Sequence, residues 1–92
     1  MNTAEYIEQG LNGTAPLKII LCGSVQETNN MRVGIVSVVF ATLDKEAAKK
    51  RIHDLIKENP QSYFMVYSVP LDCDLTTLTH YPSIAITKED LE

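Results

Sequence analysis

The chain has no tryptophan, two cysteines, two histidines, and four each of glycine and proline in 92 residues. Two cysteines, Cys22 and Cys73, are too few to staple a small secreted scaffold. Structural zinc usually gathers four Cys or His ligands, and this chain has only four such side chains, widely spread, so no structural zinc set is expected. Gly10-x-x-Gly13 and Gly23 stand alone, so there is no glycine-rich phosphate loop. Eight Lys+Arg against twelve Asp+Glu give a net charge of −4. That balance argues against nucleic acid or an anionic membrane as a partner held by bulk charge. The longest apolar tract, residues 33–43, falls well short of the roughly 20 residues a spanning helix needs. Met1-Asn2-Thr3-Ala4-Glu5 has neither the basic nor the apolar region of a signal peptide. The expectation is a cytoplasmic protein with reduced thiols and no cofactor, metal, nucleic-acid or membrane partner.

What is present is enough apolar material for one core. Val, Ile, Leu and Phe make 26 of the 92 residues, above the level at which chains stay disordered, and the length suits one domain over residues 1–92. Residues 1–13 predict a short helix capped by Asn2 or Thr3 and ended by Gly10. Its few anchors are Tyr6, Ile7 and Leu11, so it is expected to pack loosely. Residues 17–25 and 32–42 predict two strands joined through Thr28-Asn29-Asn30, since asparagine accepts the positive φ of tight hairpins. Residues 44–58 predict the main helix, capped by Asp44 and stopped by Asn59-Pro60, with Ala48, Ile52, Leu55 and Ile56 on one stripe. Residues 62–71 predict a third strand. Residues 72–79 predict one or two helical turns capped by Asp72 or Asp74, and residues 83–86 a short fourth strand. Thr87-Lys88-Glu89-Asp90 has capping-box spacing, so residues 87–92 form a helical turn or fray.

The order α-β-β-α-β-(α)-β predicts an α+β fold: a mixed or antiparallel sheet of three to four strands, the third beside the first, with one main helix on one face. Alternation along the strands makes both faces apolar. The second strand divides into Val33, Ile35, Val39, Ala41 and Val36, Val38, Phe40; the third into Phe64, Val66 and Tyr63, Met65, Tyr67, Val69. One helix about 22 Å long covers one face. Burying roughly 600 Å² of the other would contribute on the order of 15 kcal/mol before association costs. Three covers are conceivable: the N-terminal helix with residues 72–79, a second copy of the chain, or a foreign partner or ligand. The second copy is favoured, because a two-fold dimer is the commonest closed assembly.

This patterning predicts a non-enzymatic protein-binding or regulatory module, a homodimer through an apolar sheet face. The interface or ligand candidates are Val36, Val38, Phe40, Tyr63, Met65, Tyr67 and His80. The alternative is a small-molecule binder with an apolar, aromatic pocket near Tyr63, Tyr67 and His80. A third possibility is a thiol or metal enzyme at Asp72, Cys73 and His80; acidic neighbours around the thiol weigh against it. Lys45, Lys49, Lys50, Arg51 and Lys57 share the main helix with Asp44, Glu46, Asp54 and Glu58, which makes a solvated face rather than a phosphate stripe.

Overall fold

The computed structural model describes residues 3–78 and 85–91. Helix α1 (Thr3–Asn12) leads into strands β1 (Leu17–Thr28) and β2 (Met31–Thr42), helix α2 (Lys45–Glu58) and strand β3 (Tyr63–Val69). Two 3₁₀ turns follow, η1 (Leu75–Thr77) and η2 (Lys88–Leu91). The sheet is antiparallel with order β2-β1-β3, so the α+β class and the placing of the third strand beside the first are borne out. The expected fourth strand has no counterpart at Ala85 and Ile86, and Ser83 and Ile84 lie outside the described residues.

Local chemistry explains most boundaries. Asn29 and Asn30 take φ of 52° and 65°, the left-handed pair that a two-residue hairpin turn requires, and Thr28 pairs with Met31 across it. Asp44 caps α2 by accepting from the Glu46 amide at 3.0 Å. Asn59, before Pro60, closes the last turn with its amide on the Leu55 carbonyl at 2.9 Å. Asp74 caps η1 in the same way from the Thr76 amide, also at 3.0 Å. β1 runs on through Gln26-Glu27-Thr28, polar residues that strand propensity alone does not favour, because each is paired to an apolar-rich β2.

Both helices lie on the same face of the sheet. Ile7 and Leu11 of α1, Ala48, Ile52 and Leu55 of α2, and Ile20, Phe64 and Val66 of the sheet form one buried cluster, with Cys22 and Phe40 against it. α1 packs on β3, and α2 packs on β1 and β2. This corrects two expectations. α1 is not a loose lid for the opposite face, and Gly10 does not end it: an added Cβ at Gly10 would meet the Val66 carbonyl oxygen at 1.8 Å. Gly10 is the point where helix backbone touches strand backbone. Ile56, 42% exposed, leaves the α2 stripe and lines the groove between the helices.

Lys18 is the buried exception in the apolar run of β1, only 5% exposed. Its ammonium donates to the carbonyls of Gly13 at 2.7 Å and Ala15 at 2.9 Å, and to Ser68 Oγ at 2.7 Å. Three donors meet three acceptors, so the group is satisfied without a counter-charge. Ser68 Oγ in turn donates to the Gly10 carbonyl. Lys18 and Ser68 thus tie the end of α1 to the sheet.

Candidate binding surface

Register decides which residues share the face away from the helices. Between Ile20 and Leu21 the β1–β2 pairing slips by one residue: Ile20 faces Phe40, and Leu21 faces Val38. Val39 is the extra residue of a β-bulge, and a bulge inverts the alternation beyond it. Phe40 therefore packs against the core on the helix side, while Val36 and Val38 lie on the other face. Grouping Phe40 with Val36 and Val38 is corrected here. The same slip sends Val33 and Ile35 to the helix side, away from Ala41.

The second face then carries Ile19, Leu21, Gly23 and Val25 of β1, Gly34, Val36, Val38 and Ala41 of β2, and Tyr63, Met65 and Tyr67 of β3. Five of the seven expected site residues come together on it. Val38 and Tyr63 are 65% and 64% exposed, Val36 and Val25 40% each, and Met65 and Tyr67 are half-buried. Burial pushes the Tyr67 phenol above its ordinary range, and its hydroxyl lies 4.0 Å from Met65 Sδ. His80, the remaining candidate besides Phe40, lies outside the described residues.

Residues 85–91 cross part of this face. The Ile86 and Leu91 side chains lie over Gly34, where an added Cβ would meet Leu91 Cδ2 at 3.0 Å. Arg32 anchors the segment, donating to the Leu91 carbonyl at 2.9 Å while paired to Glu27 at 3.4 Å. Under this strap lies a half-enclosed hollow of about 170 Å³, bounded by Leu21, Gly23, Gly34, Val36, Tyr63 and Met65 from the sheet. Its open part lies over Gly23, since Ile86 and Leu91 fill the space above Gly34. A signal for it existed in the sequence, since glycine inside a strand marks a close approach or a gap.

β2 is also an edge strand, and its twelve residues contain no proline and one charge, Arg32. β3 stops pairing at Gly23, so residues 24–28 and 31–35 extend as a two-stranded ribbon. Met31, Val33 and Ile35 are 68%, 43% and 37% exposed along it. Among the described residues β2 has neither a proline, a run of lysines nor a short length to protect this edge, and the bulge at Val39 is its one protective feature.

On the helix side, a groove of about 790 Å³ separates α1 from α2, floored by Ile7, Leu11, Ile52 and Phe64. Its rim mixes Glu8 and Glu46 with Lys45, Lys49 and His53, and Lys45 is engaged with Asn12 Oδ1 at 2.8 Å. Cys73 is exposed and Cys22 half-buried, both free thiols. Asp72, at φ 52°, sits in a turn beside Cys73. Among the described residues no three His, Cys, Asp or Glu side chains gather to metal-binding proximity. Nor is any helix among them long and apolar enough to cross a membrane. Compared with known protein families, curated proteins and solved structures, the chain matches none of them.

Proposed function

We propose that this chain is a non-enzymatic binding module that works as a homodimer, joined through the second sheet face and the adjoining edge of β2. The observation that carries this reading is the exposure of β2. Val36 and Val38, 40% and 65% exposed, lie on the second face with Val25 and Tyr63, at 40% and 64%, beside the outer edge of the sheet. A contiguous apolar patch of several hundred Å² is about the most that a monomer leaves in water. A second copy satisfies it best. A two-fold axis sets the same patch against itself, so apolar meets apolar and the open backbone groups of the edge find partners. The near absence of charge on β2 removes the like-charge repulsion that would oppose a symmetric contact.

Sedimentation or light scattering over a dilution series tests this. The wild-type chain is expected to dissociate as it is diluted. Val38→Lys, at a position already 65% exposed, is expected to be monomeric and folded, weakening association by ~100-fold or more. A wild-type monomer at every concentration that also binds no apolar dye would overturn the reading.

A further inference from the structure

We propose that the hollow between the second sheet face and residues 85–91 is a binding site for a small uncharged apolar molecule, of the size of one aromatic ring or a short hydrocarbon chain. Gly23 and Gly34 sit in adjacent strands, both pointing to this face. Glycine inside a strand is less stable than alanine, so two at one spot weaken the sheet unless the space they leave is used. Their surroundings differ. Gly34 is filled from above by Leu91 and Ile86, whereas an added Cβ at Gly23 would meet only Tyr63, at 3.8 Å. The gap therefore belongs to Gly23, while the strap roofs the neighbouring glycine.

Size and lining name the ligand class. The hollow measures about 170 Å³, close to the roughly 150 Å³ of an apolar protein cavity that stays dry and takes up benzene. Leu21, Val36, Met65 and Ile86 supply apolar walls, and Tyr63 supplies a ring for edge or face contact. Among the described residues no charged side chain lines it, so a carboxylate, phosphate or ammonium inside would lose its hydration without compensation from them. This site goes beyond the dimer reading, and Val38, the residue that tests the dimer, does not line the hollow.

Toluene and indole are the probes, read by amide chemical shifts and thermal unfolding of the full chain. Both are expected to raise the unfolding temperature and to shift the amides of Gly23, Gly34 and Met65. Gly23→Val fills the gap with a β-branched side chain suited to a strand. It is expected to unfold at a higher temperature without probe, and to lose binding by about tenfold or more. Gly23→Ala serves as the milder substitution should valine perturb the strand, with the same pair of opposite effects. Val38→Lys is expected to bind both probes as the wild type does, which separates this site from the interface. Absence of any shift with either probe overturns the proposal. So does undiminished binding in both Gly23 variants.

Discussion

At the scale of single residues, two positions carry more of the structure than their composition suggests. Gly10 lies inside a helix, where alanine normally gains about 1 kcal/mol over glycine. Here the sign reverses, because a methyl group would occupy the space of the Val66 carbonyl. Gly10→Ala is expected to lift α1 from β3 and to cost on the order of 3 kcal/mol, measured by urea unfolding. Lys18 is the second. Burial, reinforced by the neighbouring charge of Lys45, holds its pKa below the ordinary 10.5. The unfolded chain then binds the proton more tightly than the folded one. Stability therefore rises with pH between the lowered folded value and 10.5. Lys18→Met is expected to lose that rise. It should also cost about 2 kcal/mol near neutral pH, since the carbonyls of Gly13 and Ala15 lose their donor. Unfolding curves of both chains across the alkaline range check the two effects together.

At the scale of elements, turns and caps follow from local chemistry and can be tested locally. Asn29 and Asn30 hold left-handed backbone that glycine adopts more easily. Asn30→Gly is expected to leave the hairpin intact with little change in stability, whereas Asn30→Val should cost about 1–2 kcal/mol. Asp74 anchors η1 through the hydroxyl and amide of Thr76, and those bonds hold its carboxyl below the ordinary 3.8. Its contribution is complete above 3.8 and is lost as the pH falls through the lowered folded value. The Thr76 amide resonance is expected to report that loss, and to remain flat over the same range in Asp74→Ala. The bulge at Val39 is the element-scale feature that alternation could not show. Period-two patterning assigns Phe40, Val38 and Val36 to one side, but an inserted residue is visible only in the pairing with β1.

At the scale of the whole molecule, the radius of gyration is 14.0 Å, against about 12 Å for a rounded domain of this length. The excess fits the β1–β2 ribbon, which runs past the end of β3 and past both helices. Two helices share one face of the sheet, and the other is crossed only in part by residues 85–91 among the described residues. This asymmetry makes the dimer and the hollow distinct predictions on one surface. A charge at Val38 breaks the first and spares the second, while a side chain at Gly23 fills the second. Cutting the chain after Thr87 removes Leu91 from Gly34 and the carbonyl that Arg32 holds. It is expected to increase apolar-dye fluorescence without unfolding the sheet, because none of the described core residues on the helix side belongs to that segment.

Much was legible in the sequence because its signals act over a few residues. The asparagine pair set the hairpin, Asp44 and Pro60 bounded α2, and the two apolar strand faces announced a surface with too little cover. Val36, Val38, Tyr63, Met65 and Tyr67 could be grouped from alternation alone, since side chains in a strand have no third direction. Tertiary structure decided what depends on partners distant along the chain. The slip opposite Leu21 set Phe40 against the core, the fit of Gly10 against Val66 fixed which face α1 covers, and the reach of Lys18 to residues 13, 15 and 68 made a lone charge in an apolar run a structural clamp. Local torsion and periodicity are properties of neighbours in sequence, whereas packing is settled by atoms that only the folded chain brings within a few ångströms.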